Sequence, residues 1–385
     1  MTGSRLFVTR PSLPPIEELT QYLERIWASG ILTNGGQMHR ELEASLAAHL
    51  RVPQISLFCN GTIALVAALK VLGLTGEVIT TPFSFVATTH ALKWNGLEPV
   101  FADIHPITLN LDPARIVEKI TPRTSAILAV HCYGNPCDVD AIDEIAKSHG
   151  LKVIYDAAHA FGVDCHCGSV LSHGDLSVLS FHATKVFSTL EGGAIVAPNA
   201  DMKARIDRSK NFGIVSEIEV ESVGINGKMN ELQAAFGLLQ LKRVDAAIAE
   251  RAAVAARYDS VFAGIDGIDP VPTSGQVKSN HSYYPVRVRA AFPLSRDELY
   301  EALKADGVFA RRYFYPLISD LPMYCDLPSA SRKNLPAAHK AAEEILCLPI
   351  YADLTSEEQD RVIAGVVEGK RRDNGGRPGF AIPAA

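Results

Sequence analysis

The sequence predicts an α/β protein in which a large, mostly parallel sheet domain is followed by a smaller C-terminal α+β domain. Short apolar runs alternate with helical patterns as far as Val196, which is the order expected of βαβ units. Several runs are apolar throughout, such as residues 126–130, and this is typical of strands buried on both faces of a parallel sheet. Beyond Val196 the alternation ends and longer helical patterns begin, so a second unit is expected there.

The individual elements follow from apolar spacing and from the Gly, Pro, Asp and Asn residues between them. Two amphipathic helices are predicted first, at 16–29 and at 37–50. Strands are then predicted at 54–58, 77–81, 98–103 and 125–131, followed by strand-like runs that begin at 152 and 176. The helices between these strands are predicted at 63–72, in a segment ending near 94, at 112–119 and at 138–148.

The C-terminal half predicts fewer strands. Helices are expected at 200–211, in one long run at 230–262, and at 295–305, 334–346 and 356–369. The alternating residues 281–288 predict a strand with one face in water. We expect a large domain at 1–250, a small domain at 251–370 and a disordered tail at 371–385, because the tail carries charge, Gly and Pro without periodicity.

Composition excludes several classes of function. The 385 residues carry a net charge of -6, so there is no basic excess for binding nucleic acid. No apolar run is long enough to span a membrane, and residues 1–15 lack the pattern of a secretory signal. The seven cysteines are odd in number and widely spaced, which favours a reducing, cytoplasmic location over a disulfide framework.

One short segment resembles a metal site. It contains Cys165, His166 and Cys167, and His173 follows it. Zinc sites usually contain Cys-x-x-Cys pairs, and that spacing is missing here. The spacing therefore favours a cysteine-bearing turn between strands, and no metal is expected.

Two strand-like runs end in polar groups of opposite charge. The run beginning at 152 ends in Asp156, and the run beginning at 176 leads to Lys185. Ligands bind at the carboxyl ends of strands in open α/β sheets, so these two groups are candidates for one site. A pyridoxal phosphate (PLP) enzyme needs such an acid for the pyridine nitrogen and such a lysine for the Schiff base. Taken singly, Asp156 could instead cap a turn, and Lys185 could lie on the surface.

Other residues complete the layout of a PLP site. Gly61 and Thr62 stand between a strand and a helix, where backbone N–H groups and the helix dipole bind anions, although plain helix capping gives the same pattern. Phe85 follows a strand and could stack on a flat ring or lie in the core. Ser180 could donate its hydroxyl to a phosphate, and His159 is either a turn residue or a neighbour of the cofactor.

These motifs together resemble the nucleotide-sugar aminotransferases of the DegT/DnrJ/StrS family, from about residue 16 to residue 367. The resemblance implies the aspartate aminotransferase-like (type I PLP-dependent) fold. The motifs that carry it are Asn60-Gly61-Thr62, the segment 81–88 (Thr-Pro-Phe-Ser-Phe-Val-Ala-Thr), the segment 156–162 (Asp-Ala-Ala-His-Ala-Phe-Gly), the segment 180–185 (Ser-Phe-His-Ala-Thr-Lys), Glu191-Gly192-Gly193 and the segment 224–231 (Gly-Ile-Asn-Gly-Lys-Met-Asn-Glu).

The resemblance also implies roles for single residues. Lys185 is implied as the Schiff-base lysine and Asp156 as the partner of the pyridinium nitrogen. The other cofactor-binding residues implied are Phe85 on the ring, Gly61, Thr62 and Ser180 at the phosphate, and His159 near the phenolic oxygen. Asn226 resembles the residue that reaches the phosphate of the neighbouring subunit, which implies a homodimer with shared active sites.

The expected reaction moves an amino group from L-glutamate to a nucleotide-linked keto sugar, with pyridoxamine phosphate as the intermediate cofactor form. The motifs at 156–162, 182–187 and 210–213 are most similar to the branch of the family that acts on dTDP-4-keto-6-deoxyglucose. A branch acting on 3-keto isomers has similar motifs. A sugar dehydratase and a non-catalytic regulator are further alternatives. Arg312, Tyr313 and Tyr315 fall where the family lines its sugar pocket, so they are the expected substrate-binding residues.

Overall fold

The computed structural model describes residues 5–273 and 277–371, so all but the first residue of the predicted tail lies outside the described residues. The strands are β1 (Leu6–Phe7), β2 (Gln54–Phe58), β3 (Glu77–Thr80), β4 (Glu98–Phe101), β5 (Thr124–Val130), β6 (Lys152–Asp156), β7 (Asp164–Cys165), β8 (Gly168–Ser169), β9 (Leu176–Ser180), β10 (Gly193–Ala197), β11 (Ile214–Ser216), β12 (Glu219–Val220), β13 (Ile268–Pro270), β14 (Tyr284–Val288), β15 (Val308–Phe309) and β16 (Ile345–Leu348).

The helices alternate with these strands in the first half of the chain and dominate the second half. They are α1 (Ile16–Ser29), α2 (Gln37–Leu50), α3 (Gly61–Val71), α4 (Ala87–Trp94), α5 (Pro113–Val117), α6 (Val139–His149), α7 (Ala200–Ser209), α8 (Glu231–Leu241), α9 (Val244–Phe262), α10 (Arg296–Ala305), α11 (Pro336–Glu344) and α12 (Ser356–Arg371). In the described part of the chain, no helix is both long and apolar enough to cross a membrane.

A seven-stranded sheet in the order β2-β10-β9-β6-β5-β3-β4 forms the centre of the molecule. Only β10 runs antiparallel to its neighbours, so the prediction of a mostly parallel sheet is confirmed. Successive residues of β5 face opposite sides of this sheet. Ala126 and Leu128 belong to the apolar cluster that contains α3 and α4, whereas Ile127 and Ala129 belong to the cluster that contains α2 and α6. Burial on both faces explains why the strands lack alternating polar residues.

The carboxyl ends of β6 and β9 lie side by side. These two strands are paired in parallel, with Asp156 opposite Val178, so Asp156 and Ser180 reach the same edge of the sheet. Gly193 at the start of β10 is paired with Ser180. A Cβ atom on Gly193 would lie 2.7 Å from the backbone nitrogen of Gly61, so a glycine is needed for α3 to approach this edge.

A second apolar cluster is built from α10, α12, the three-stranded sheet β13-β14-β16 and the second half of α9. Val244 and Ile248 of α9 pack in the cluster of the main sheet, whereas Tyr258 and Phe262 pack in this second cluster. We therefore propose a domain division within α9, near residue 250. The strand β1 pairs in parallel with β15, so the start of the chain packs with the C-terminal unit.

Three predicted elements differ in the structure. The run at 230–262 is two helices, because α8 packs against α1 and α2 while α9 packs against β13 and α12. The predicted helix at 334–346 ends at Glu344, and the apolar residues after it form β16 beside β14. The prediction of a wet face on β14 is wrong, because all five of its residues are buried. Tyr284, Val286 and Val288 pack in the second apolar cluster, and α11 also packs against this strand. The buried Arg287 of this strand pairs with Glu344 at 3.3 Å.

Candidate active site

A cavity of about 620 Å³ opens at the carboxyl edge of the main sheet. Its volume lies within the range of small-molecule sites. The structure places most of the predicted site residues in its wall. These are Gly61, Thr62, Phe85, Asp156, His159, Ser180, Lys185 and Tyr313. The strand order therefore brings together Gly61 and Lys185, which are more than 100 positions apart, and the C-terminal unit adds Tyr313.

Asp156 is buried at the end of β6, on the floor of the cavity. One carboxylate oxygen accepts a hydrogen bond from the Thr88 hydroxyl at 2.7 Å, and the other accepts one from the Ala158 N–H at 3.1 Å. Burial raises the pKa of the Asp156 carboxyl, while the two hydrogen bonds and the charge of Lys185 act in the opposite direction. A cationic group placed beside Asp156 would therefore be strongly attracted, since it would stabilise the ionised carboxylate.

Thr88 is a positioning residue that reasoning from the sequence did not single out. Its hydroxyl lies 2.8 Å from the Ser84 hydroxyl and 2.7 Å from the Asp156 carboxylate, and Thr88 is itself fully buried in the first turn of α4. The chain of two hydroxyls holds the carboxylate in one orientation. The available signal was a pair of serine and threonine hydroxyls four residues apart, which is one helical turn.

Lys185 lies in the wall of the same cavity, after the end of β9. Burial lowers the pKa of its amine from 10.5 to about 8, and the charge of Asp156 opposes this shift. The amine lies over the ring of Tyr283, 5.9 Å from its centre. A lysine with a pKa near neutrality has a substantial neutral fraction, and only the neutral amine is nucleophilic or basic.

We expect Lys185 to react with acylating reagents at lower pH than other lysines. In the apoprotein, its labelling by acetic anhydride should be half-maximal near pH 8, because the amine loses its proton at that pH. Lys147 is the internal control, since the carboxylate of Asp143 raises its pKa. Peptide mass spectrometry across a pH series measures both residues in one sample. Equal midpoints for the two lysines would contradict the desolvation of Lys185.

His159 is held as a neutral ring above the sheet edge. Its Nδ1 accepts a hydrogen bond from the Tyr133 N–H at 3.2 Å, so the proton of the neutral ring is on Nε2. Burial, followed by the charge of Lys185, lowers the pKa of His159 well below its usual value. The ring is stacked parallel to that of Phe314, and Tyr283 packs against its edge. His159 can therefore donate one hydrogen bond without adding charge to the cavity.

The opposite end of the cavity is a helix N-terminus. Asn60 caps α3 by accepting a hydrogen bond from the Ile63 N–H at 2.8 Å. A Cβ atom on Gly61 would lie 2.9 Å from the Cβ of Ser180, so the first residue of the helix and the end of β9 are in close contact. The N–H groups of a helix N-terminus together with a serine hydroxyl form a site for an anion such as phosphate.

The two phenylalanines after β3 have different surroundings. Phe83 is fully buried and packs edge-on against Tyr133 and Phe314. Phe85 is 60% exposed and lines the cavity, so its ring is available to a flat ligand. Of the two interpretations left open for Phe85 by the sequence, the geometry favours contact with a ring over a place in the core.

Of the three substrate-binding residues predicted in the segment 311–315, Tyr313 lines the cavity, whereas Arg312 and Tyr315 are not described in its wall. Arg311, Tyr313 and Phe314 line the cavity. Arg312 instead pairs with Asp297 at 2.9 Å and stacks on Tyr300 of α10. Tyr315 is half exposed. The guanidinium groups of Arg296, at the start of α10, and of Arg312 lie over its ring. Neither Arg312 nor Tyr315 is among the residues described in the cavity wall.

Asn226 also lies away from this wall. It is exposed, and it forms an isolated bridge with Asn211 in the loop between β12 and α8. Tyr283 was missed for a different reason. It lies about 100 residues after Lys185 in the sequence and reaches the cavity only because the C-terminal unit packs over the sheet edge. No local pattern distinguishes such a residue from a core tyrosine.

The residues fit PLP on observations that belong to this chain. A buried carboxylate, an amine whose pKa is about 8 and an exposed phenylalanine surround one end of the cavity. At the other end, the helix N-terminus at Gly61 lies against Ser180, and this arrangement suits an anion such as phosphate. This donor set suits a phosphorylated pyridinium aldehyde, so fold and site define a PLP-dependent enzyme of the aminotransferase class.

The chain belongs to the DegT/DnrJ/EryC1/StrS aminotransferase family, whose model matches residues 15–367. Two curated relatives are described as dTDP-4-amino-4,6-dideoxy-D-glucose transaminases. The one from Shigella dysenteriae is 54% identical over 363 residues, covering 94% of this chain and 98% of the relative. The one from Escherichia coli is 51% identical over 358 residues, covering 93% and 96%. A crystal structure of DesI in the presence of its TDP-sugar product is 37% identical and superimposes with a TM-score of 0.91, covering 97% of this chain and 95% of DesI.

The protein is therefore an enzyme, and PLP is its cofactor. The family resemblance predicted from the motifs is confirmed, and so is the predicted fold. The roles assigned to single residues remain predictions.

Proposed function

We propose that this protein transfers the amino group of L-glutamate to C4 of dTDP-4-keto-6-deoxyglucose and forms dTDP-4-amino-4,6-dideoxyglucose. The observation that carries the proposal is identity at more than half of the aligned positions with two transaminases described by that product. The cavity supports it, because its wall contains both the residues assigned to the cofactor and, from the C-terminal unit, Arg311 and Tyr313.

The proton transfers are assigned to Lys185. Bound PLP supplies an electron sink that stabilises negative charge at the donor's α-carbon. The Lys185 amine, with a pKa of about 8, would take the proton from that α-carbon as a general base. With the keto sugar bound, the same amine would act as a general acid and supply a proton to C4 of the sugar. A single group can serve both directions because its pKa is close to the working pH.

Asp156 and His159 hold the reacting ring in place. We assign Asp156 to the ring nitrogen, where the buried carboxylate keeps the nitrogen protonated. We assign the Nε2–H of His159 to the phenolic oxygen, since Nδ1 is occupied by the Tyr133 N–H. Phe85 would cover one ring face, and Gly61, Thr62 and Ser180 would bind the phosphate.

Substrate binding is assigned to the segment from the C-terminal unit. Arg311 contributes a guanidinium to the cavity wall, and a guanidinium is suited to the diphosphate of a nucleotide sugar. Tyr313 lies beside it and could hydrogen-bond to a sugar hydroxyl. Arg312 and Tyr315 would join them only after leaving their partners on α10.

The proposal is tested by identifying the product. Purified enzyme is incubated with L-glutamate and dTDP-4-keto-6-deoxyglucose, and in parallel with the 3-keto isomer and a GDP-linked 4-keto sugar. We expect 2-oxoglutarate and a 4-amino sugar, identified by mass spectrometry and NMR, with the first substrate giving the highest kcat/KM. Preference for the 3-keto isomer would move the assignment to C3. A deoxygenated ketone without 2-oxoglutarate would indicate a dehydratase, and no turnover of any substrate would favour a regulator.

We also propose that the active enzyme is a homodimer and that Asn226 contributes to the active site of its neighbour. Asn226 is exposed and outside the described cavity wall of its own chain, although the family resemblance places it at a phosphate. The nearby hairpin of β11 and β12 carries exposed apolar residues, including Ile218 at 96% and Val220 at 66% exposure. Val223 between this hairpin and Asn226 is 84% exposed. Such a patch is typical of a surface that a partner covers.

Mixing two inactive variants should restore activity if the sites are shared. Lys185→Ala removes the amine, and Asn226→Asp places a negative charge against the phosphate. Random exchange of subunits gives dimers with one intact site, so about a quarter of wild-type activity is expected. The matched control mixes Lys185→Ala with Asp156→Asn, two changes in the same cavity wall, and should restore nothing. Recovery in neither mixture would contradict the role of Asn226.

A cytoplasmic location is proposed on the state of the cysteines. All seven are free thiols in the structure, which fits a reducing compartment.

A further inference from the structure

Two cysteines and one histidine form a compact group outside the cavity. Cys165 ends β7, Cys167 lies in the two-residue turn before β8, and His173 lies between β8 and β9. The two sulfur atoms are 3.3 Å apart. The Nε2 atom of His173 is 3.3 Å from the Cys165 sulfur and 3.1 Å from the Cys167 sulfur. Three potential metal ligands therefore converge on one point, although the sequence spacing favoured a plain turn.

The size of this triangle suits a tetrahedral ion. Ideal zinc–sulfur and zinc–nitrogen bonds place two sulfur ligands about 3.8 Å apart and a sulfur and a nitrogen about 3.6 Å apart. The observed edges are shorter than those values by about 0.5 Å or less. A triangle with these three edges has a circumscribed radius of about 1.9 Å, so an ion slightly above its plane reaches all three ligands at normal bond lengths.

We propose that Cys165, Cys167 and His173 bind one thiolate-preferring divalent metal ion, with Zn²⁺ as the expected ion. Sulfur and imidazole ligands in this number select Zn²⁺ over Mg²⁺ or Ca²⁺, which require oxygen ligands. A disulfide does not explain the geometry, because an S–S bond is about 2.05 Å long and would leave His173 without a role.

The three ligands leave the fourth position of a tetrahedral ion open. Among the described residues, the ligand atoms that lie within 4.8 Å of one another are those of Cys165, Cys167 and His173. Cys167 is exposed, so a water molecule can complete the coordination. The ion would face solvent on that side, which permits exchange with added metal.

The location of the group indicates a structural role. It lies at the start of β9, and the adjoining Gly174 and Asp175 contact Val153 at the start of β6. The cavity is at the other ends of these two strands. A metal ion would therefore tie the β7–β8 hairpin to the strand that carries Ser180 toward the cofactor, without contact with the reacting atoms.

The test uses the full chain with its cofactor bound and without an affinity tag. After dialysis against a chelator, Zn²⁺ is added and metal content is measured by plasma mass spectrometry. We expect one Zn²⁺ per chain and a higher Tm than in the metal-free protein. Co²⁺ should give the intense visible d–d bands of a tetrahedral site, at longer wavelengths than the cofactor absorbs.

Two variants and one control identify the ligands. Cys167→Ser and His173→Gln should each weaken Zn²⁺ binding at least tenfold and remove the Co²⁺ bands, while cofactor absorbance is kept. Cys325→Ser changes another exposed cysteine and should bind Zn²⁺ like the wild type. Equal binding by all four proteins would overturn the proposal, as would absence of binding in the wild type. The proposal would also be overturned if the chain took up no metal and its mass were 2 Da lower until a reductant was added, because this would indicate a disulfide.

Discussion

Lys185→Ala is expected to lower kcat for amino transfer at least a thousandfold. General acid–base catalysis by one group contributes about 10² to 10⁴ in rate, and Lys185 is assigned to both directions of proton transfer. Burial lowers the pKa of its amine to about 8, so the amine can both take up and release a proton near neutral pH. The measurement is the steady-state rate of 2-oxoglutarate formation with saturating glutamate and keto sugar.

Two further measurements separate loss of chemistry from loss of fold. Lys147→Ala, at an exposed lysine of α6, should keep wild-type kcat. Small primary amines added to Lys185→Ala should restore part of the rate, with larger effects for amines of higher basicity, because they can carry the proton instead. A variant that keeps more than a tenth of wild-type kcat would show that the proton is moved by another group.

Asp156→Asn is expected to lower kcat at least a hundredfold. The amide has the size of the carboxylate and can still accept a hydrogen bond from Thr88, but it cannot hold a proton on the ring nitrogen. Without a protonated ring nitrogen, negative charge at the donor's α-carbon would be less stabilised. The step that removes the α-proton should therefore slow most. Rapid mixing with α-deuterated glutamate measures this step through its isotope effect.

Stability distinguishes this catalytic role from a structural one. Burial raises the pKa of Asp156 in the folded protein above the value of about 4 that it has in the unfolded chain. Between these two pKa values the unfolded chain is ionised while the folded protein still holds the proton. The folded apoprotein therefore loses stability as the pH rises through this interval. Asp156→Asn removes this cost but also removes the acceptor for the Ala158 N–H, so the Tm of its apoprotein should change little at pH 7. A large fall in Tm would instead mean that the carboxylate supports the fold.

The matched control for Asp156 is Asp175→Asn. Asp175 also accepts hydrogen bonds near a strand of the same sheet, from the Val153 N–H and the Lys152 amine, but at the other edge. It should change kcat by less than twofold. Thr88→Val removes the hydroxyl that orients Asp156, and we expect a smaller loss of about tenfold, typical of a residue that acts through another.

The local elements were predictable because their signals are local. Helices α1 and α2 and strand β2 begin and end where the spacing and the flanking proline or glycine residues predict. Asp138 and Ser295 cap their helices through side-chain hydrogen bonds to the backbone, as residues of these types usually do. Where the predictions failed, a distant partner decided the outcome. Residues 345–348 form strand β16 because they pair with β14. The sequence around residue 345 does not indicate this pairing, since β14 lies about 60 residues earlier.

Some residues of the candidate site were also predictable from local signals, and others were not. Asp156, Ser180 and Lys185 were predictable as a group, since each follows a strand and parallel strands end at one edge of a sheet. Thr88, Tyr283 and Arg311 were not, because each acts from an element whose position depends on packing. The same limit applies to Cys165, Cys167 and His173, whose spacing resembles no common zinc motif although the hairpin brings them together.

The amino-acid sequence by itself determined the α/β class, the order of the strands along the chain and the acid and lysine to which we assign the chemistry. Only the tertiary structure decided which side chains of the C-terminal unit close the cavity, and that Arg311 faces it while Arg312 is held on α10. The physical reason is range. Hydrophobic periodicity and capping act over a few residues, whereas burial, pKa shifts and ligand geometry arise from contacts between segments far apart in the sequence.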